Sequence, residues 1–160
     1  DEYSTPLIGD DTSERATILT VQRHVFCSGA NLDASPGQGT SSNLPGMKPD
    51  AGRALDTHYN ALIREIRHHP HPVITAVNGA AAGVGCSIGL IGDIVICGKS
   101  GFFLQAFRRI GLVPDGGSTF LLAKTIGRAR AMEMTLMGER VSAEQALDWG
   151  LVNRVVEDDA

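Results

Sequence analysis

The sequence is poor in cysteine and in positive charge. Cys27, Cys86 and Cys97 are the only three cysteines among 160 residues. That number makes no disulfide framework, and an odd count fits a reducing compartment, so a cytoplasmic location is expected. Lys and Arg number 14 against 18 Asp and Glu, a net charge of −4. This argues against a general nucleic-acid binder, which is normally basic. The chain shows no internal repeat and no low-complexity tract, and no basic segment followed by an apolar stretch opens it, so no signal peptide is visible. The spacing G-x-x-x-x-G-K-[ST] is absent, which excludes a P-loop. Long unbroken apolar runs are missing too. From Pro72 to Gly98 the only charge is Asp93, and the stretch is long enough to span a bilayer. However, Asn78, Ser87 and Asp93 interrupt it, and Gly79, Gly83, Gly85, Gly89 and Gly92 punctuate it. A strand–helix–strand unit explains those interruptions better than a membrane span, and no membrane partner is expected.

What remains is ordinary globular material, 42% hydrophobic and 20% charged, enough for one domain over residues 1–160 with a real core. The chain begins at Asp1, and its first recognisable strand starts only at Ala16, so the sequence reads as a piece of a longer one. Ala16 to Val21 is short and rich in β-branched residues, as a buried strand is. Phe26 to Ala30 is a small-residue turn, and residues 34–50 are a Gly-, Pro- and Ser-rich loop. Leu55, Tyr59, Leu62, Ile63 and Ile66 recur at helical spacing, and Pro70 and Pro72 stop that amphipathic helix. Val73 to Val77 is a second strand, Gly83 to Leu90 a small-faced buried helix, and Asp93 to Cys97 a third strand. Pro114 to Gly117 is a turn. Ser118 to Ile126 is a helix ended by Gly127, and another runs through Ala129 to Met137 and stops at Gly138. Ser142-Ala143-Glu144-Gln145 is a capping box opening a short helix ended by Gly150, and Leu151 to Val156 returns as a strand. Strands alternating with helices predict α/β organisation with parallel pairing.

Several motifs invite a functional reading and also have a plainer one. Gly83-Val84-Gly85 between two strands suggests a dinucleotide site. The spacing is G-x-G-x-x-x-G, however, and Gly98 and Lys99 stand where a ribose-binding acid belongs. Glycines at a helix start also let backbone N–H groups approach a ligand oxygen, or simply allow close packing. His68-His69-Pro70-His71, with Glu65 one turn before His69, invites a metal, but the cluster sits at a helix end between prolines with no cysteine nearby. Imidazoles suit that end of the helix dipole, and no metal is expected. Cys86 and Cys97 lie in apolar surroundings and read as inert core; Cys27 is nearer a possible site but has no evident activating base. Asp115 in Pro-Asp-Gly is ordinary turn and cap chemistry on local sequence alone.

Three ordered motifs change that weighing. They are Phe26-Cys27-Ser28-Gly29-Ala30-Asn31-Leu32, the segment Pro72 through Val77-Asn78-Gly79-Ala80-Ala81-Ala82-Gly83-Val84-Gly85 to Cys86, and Arg109-Ile110-Gly111-Leu112-Val113-Pro114-Asp115-Gly116-Gly117-Ser118-Thr119. Together with Gly127-Arg128-Ala129 and the run from Gly138 through Ser142-Ala143-Glu144 to Gly150-Leu151-Val152, they resemble the crotonase (enoyl-CoA hydratase/isomerase) family over roughly Ala16 to Val156. The resemblance implies an α/β core of repeated β-β-α units, here without the family's first strands and C-terminal helices. It further implies an acyl-CoA thioester substrate, no cofactor beyond the coenzyme A that the substrate carries, and assembly as a homotrimer or dimer of trimers.

The resemblance also implies site residues. By motif position, the backbone N–H groups that hold the thioester carbonyl are those of Ala30 and Val84, with Ser28, Gly29, Leu32, Gly83 and Phe107 around the substrate. Proton removal beside a thioester puts negative charge on its oxygen, and one fixed donor for that charge is typically worth ~2.7–4 kcal/mol of barrier. The family's hydratases carry two glutamates, at positions that here are Ser87 and Phe107. Asp115 stands where several isomerases carry an acid, and the Pro-Asp turn is most similar to the single-aspartate, ring-epoxyphenylacetyl-CoA isomerase type. The expected chemistry is therefore proton transfer by Asp115, as in double-bond isomerisation, with its pKa raised by an apolar pocket near Phe107. Alternatives are a dehalogenase-like nucleophilic Asp115 with His58 or His24 as base, a non-catalytic thioester binder, and residual hydratase activity. Pocket-lining residues are expected in the loop 34–50.

Overall fold

A computed structural model describes residues 13–21, 25–29 and 55–159. The expected loop 34–50 therefore lies outside the described residues, as do His24, Ala30 and Leu32.

The β-branched run near the start forms β1 (Thr17–Leu19), which pairs in parallel with β2 (Val73–Val77). Along β2 burial alternates, so Val73, Thr75 and Val77 point into the core. The hydroxyl of Thr75 is completely buried, and it donates to the carbonyl of Gly89 at 2.7 Å. After β2 come β3 (Ala80–Ala82) and helix α2 (Val84–Gly89), which follows α1 (Asn60–Arg67) in chain order. Strand β3 has no local sequence signal, because three alanines carry little strand preference of their own. Its partner supplies the order: β3 runs parallel to β5 (Phe102–Leu104).

The chain then repeats the pattern with β4 (Ile94–Gly98) and β5, a 3-10 turn over Ala106–Ile110, and helix α3 (Ser118–Met137). Next are β6 (Arg140–Ser142), α4 (Ala143–Asp148) and β7 (Arg154–Val156). From β2 to β5 successive strands alternate between two sheets. One sheet has the order β1-β2-β4-β7 and the other β3-β5-β6. The first is parallel throughout; in the second, β5 and β6 are antiparallel. This is the β-β-α repetition expected from the resemblance.

Asp93, the charge that breaks the apolar run, ties the two central strands together at their start. Its carboxylate accepts from the Val73 N–H at 2.9 Å, and its own N–H donates to the Val73 carbonyl at 2.7 Å. Gly127 breaks α3 as expected, with φ 76° and ψ 163° in an otherwise helical run. Ser142 caps α4, its hydroxyl accepting from the Gln145 N–H at 3.2 Å. Three expectations need correction. The final strand is shorter than Leu151–Val156, because Leu151 and Val152 turn back to bond the Ala146 carbonyl. The helix expected from Leu55 opens with a π-helical turn, Leu55–Tyr59. Strands β5 and β6, like β3, are three-residue elements that only distant partners reveal.

His69 accepts or donates one hydrogen bond with the Thr17 hydroxyl at 2.8 Å, and His68 pairs with the Arg64 carbonyl at 2.8 Å. The histidine cluster thus fastens the end of α1 to β1. Among the described residues no group of three or more His, Cys, Asp or Glu is arranged to hold a metal ion, and no helix is long and apolar enough to cross a membrane.

Candidate active site

Two glycine corners meet at one end of the second sheet. Cys27 forms a parallel bridge to Ala81, donating its N–H to the Ala80 carbonyl and accepting from Ala82, both at 2.9 Å. This register lays Ser28-Gly29 alongside Ala82-Gly83. Gly29 has φ +94°, and a Cβ there would stand 3.0 Å from the Ala82 carbonyl oxygen and 3.8 Å from the Gly83 Cα. Only glycine accepts both the backbone angle and the approach. Gly83, with φ +57°, then turns the chain into α2. Val84 is the first helical residue, so its N–H has no helical acceptor. Gly85 is packed harder still, since a Cβ there would stand 2.2 Å from the Cys27 carbonyl oxygen. The Cys27 strand end and the start of α2 are therefore in backbone contact.

The Asp115 turn rests on the same helix. Gly116 has φ +58°, and a Cβ would lie 2.7 Å from the Ser87 Cβ and 3.4 Å from a Val84 methyl. Ser87 donates from its hydroxyl to the Asp115 carbonyl at 2.9 Å. The structure thus gathers Gly29, Gly83, Val84 and Asp115 around one short helix. The Asp115 side chain is half-buried. Burial raises its pKa above the ordinary aspartate value, opposed by a bond from its own main-chain N–H. Its Oδ1 is buried and has no hydrogen-bond partner among the described residues.

The other expected site residues fall out as follows. Ser28 is exposed at the corner, and Phe107 is buried in the 3-10 turn, where its carbonyl accepts from Leu112 at 3.1 Å and so starts the approach to the Pro114-Asp115 turn. His58 is exposed, and Tyr59 beside it is partly buried. Burial raises the Tyr59 pKa first, and the charges of Asp115 and Cys27 raise it further. The negative charge of Asp115 thus reaches the Tyr59 phenol. The sequence placed Tyr59 on the apolar stripe of an amphipathic helix. The π-helical turn that ends at Tyr59 is the structural signal, since such turns recur at functional sites.

Comparison with known proteins agrees with this fold. A family model described as Enoyl-CoA hydratase/isomerase matches residues 7–160. A 1,2-epoxyphenylacetyl-CoA isomerase from Escherichia coli (strain K12) is 45% identical over 150 residues, covering 94% of this chain and 55% of that protein. A 4-chlorobenzoyl coenzyme A dehalogenase from Arthrobacter sp. is 34% identical over 145 residues, 91% of this chain and 51% of that one. The crystal structure of an enoyl-CoA hydratase from Mycobacterium avium subsp. paratuberculosis K-10 superposes with a TM-score of 0.78 at 38% identity, covering 94% of this chain and 53% of that chain. The chain thus spans about half the length of the relatives it matches. With the β-β-α core and a match over nearly its whole length, the chain belongs to the enoyl-CoA hydratase/isomerase family.

Proposed function

We propose that this chain carries the catalytic half-site of an acyl-CoA thioester isomerase, in which Asp115 moves a proton between two carbons of the acyl group. The main-chain N–H groups of Ala30 and Val84 hold the thioester oxygen. Asp115 takes the proton from the carbon beside the thioester. The C–H electron pair enters the acyl chain, and negative charge gathers on the thioester oxygen. The protonated Asp115 then returns the proton two carbons further along, so the double bond shifts and no atom is gained or lost. Fixed amide dipoles need no reorganisation as that charge develops.

The observation that carries this reading is the buried Asp115 Oδ1, which has no partner among the described residues, on a turn seated against Val84. An acceptor held out of water with nothing donating to it is suited to take a proton from a substrate. The isomerase reading is favoured over hydration because Ser87 and Phe107 supply no carboxylate to activate water. By motif position, Ser28, Gly29, Leu32, Gly83 and Phe107 are assigned to binding the thioester substrate. The test is incorporation of deuterium from D2O into an enoyl-CoA. The wild-type chain is expected to exchange protons, and Asp115→Asn to lose exchange while binding the thioester with affinity within a few-fold. Equal exchange in the variant defeats the assignment, and a covalent acyl-aspartate adduct in the mass spectrum replaces it with nucleophilic chemistry.

A further inference from the structure

The hydrogen bonds behind the Asp115 turn have a direction that donor counting fixes. A carbonyl cannot donate, so the single hydroxyl proton of Ser87 is committed to the Asp115 carbonyl. The short contact between the Ser87 and Ser118 hydroxyls is therefore donated by Ser118. That spends the Ser118 proton, so Ser118 can only accept from the Gln105 amide, whose Nε2 lies 3.2 Å away. The other Nε2 proton goes to the Cys86 sulfur at 3.4 Å. A flipped Gln105 would present its oxygen to a hydroxyl with no proton left to give. Meanwhile the Asp115 carbonyl also accepts the Ser118 N–H at 3.1 Å, which fills both of its lone pairs.

Ser87, Gln105 and Ser118 are each no more than 1% exposed. Burying three polar side chains is costly unless they are paired; here one N–H of Gln105 and both hydroxyls are paired in one direction, to a single carbonyl, while Gln105 Oε1 has no partner among the described residues. Ser87 lies one helical turn after Val84 on α2, so the chain of bonds ties the Asp115 turn to the helix that presents the Val84 N–H. The carbonyl of Asp115 is saturated with bonds while its carboxyl Oδ1 has none among the described residues.

We propose that Gln105, Ser118 and Ser87 form a one-way hydrogen-bond chain that positions Asp115 relative to the Val84 amide. Ser87, at the place where hydratases of the family carry an acid, is then a holder of the turn and takes no part in the proton transfer itself. The proposal rests on the reading of Asp115 as the acid/base. It differs from a general structural role in what it predicts for the carboxyl group.

The experiment compares Ser87→Ala, Ser118→Ala and Asp115→Asn in the full chain, with deuterium exchange into an enoyl-CoA, NMR titration of the Asp115 carboxyl carbon, and thermal melting. Ser87→Ala is expected to lower kcat about tenfold to a hundredfold, as small misplacements of a reacting group do, with KM within about twofold. It is also expected to move the Asp115 midpoint down toward the ordinary aspartate value, because a loosened turn admits water. Ser118→Ala is expected to do the same, and serves if Ser87→Ala does not fold. Adding Ser87→Ala to Asp115→Asn should cost nothing further in rate. The titration is clean, because the Tyr59 phenol, raised by burial, and the Cys86 thiol, pushed up to about 12, stay neutral over the carboxyl range. A folded Ser87→Ala or Ser118→Ala with the wild-type kcat and midpoint overturns the proposal. Exchange that survives in Asp115→Asn overturns the acid/base reading instead, and the midpoint alone then decides whether the chain positions the carboxyl group.

Discussion

Replacing Gly116 by alanine tests how tightly the Asp115 turn is seated on α2. Two costs add. Alanine at φ +58° meets the left-handed penalty, about 1–2 kcal/mol. Its Cβ, 2.7 Å from the Ser87 Cβ and 3.0 Å from its hydroxyl oxygen, must push backbone or helix aside, a further ~1–3 kcal/mol of overpacking. Gly117 separates the two. It has φ +81°, but a Cβ there meets only a Leu121 methyl at 3.9 Å, so Gly117→Ala carries the backbone penalty alone, about 1–2 kcal/mol. Urea unfolding at constant m gives each loss from the midpoint. Ser87→Gly removes the obstructing Cβ, so the double variant Ser87→Gly/Gly116→Ala should lose less than the sum of the single changes, with a coupling of about 1–3 kcal/mol. If Gly116→Ala costs no more than Gly117→Ala, or the double variant is additive, the turn does not rest on Ser87 and the account of the site's geometry is wrong.

Other consequences can be checked singly. Because burial holds the Asp115 pKa up, the acid limb of the exchange rate should lie above that of an ordinary aspartate, the rate rising with pH as the base form appears. The same shift sets the stability trend. The folded state binds this proton more tightly than the unfolded state, so the group's contribution is full below its unfolded pKa and lost as pH rises through the folded one. Asp115→Asn should therefore gain stability relative to the wild type over that window, measured by melting at a series of pH values. In native protein a thiol reagent should modify Cys27 and spare Cys86 and Cys97, which are fully buried and whose pKa values are pushed up to about 12 and about 11. All three should react once urea is added. Ser142→Ala removes the α4 cap and should cost about 1 kcal/mol by urea unfolding.

The parts of the fold that were legible in the sequence are those whose signals are local. Val73–Val77 and the strand after Asp93 are runs rich in β-branched residues. Gly127 breaks its helix by its own backbone angle, and Ser142 caps α4 from three residues away. Strands β3, β5 and β6 were not legible, because three residues each owe their form to partners 20 or more positions away, as Ala81 does to Phe103 and Phe103 to Val141. The site divides in the same way. The glycine corners and the Pro-Asp turn could be read from motifs. Tyr59 could not, because the groups that couple to it, Asp115 and Cys27, lie far along the chain. Nor could the bonded chain from Gln105 through Ser118 to Ser87, since each of these polar residues looks ordinary in its own stretch of sequence and its partner lies 13 or more positions away. Side-chain placement over long sequence separations is set by packing, and packing has no short-range signature.

The most direct test of the central claim is a crystal structure with a non-reacting acyl-CoA thioester bound. The account predicts the thioester oxygen within hydrogen-bond distance of the Val84 N–H, and an acyl carbon next to the thioester facing Asp115 Oδ1. A thioester bound elsewhere, or one that leaves Asp115 turned toward bulk water, contradicts it.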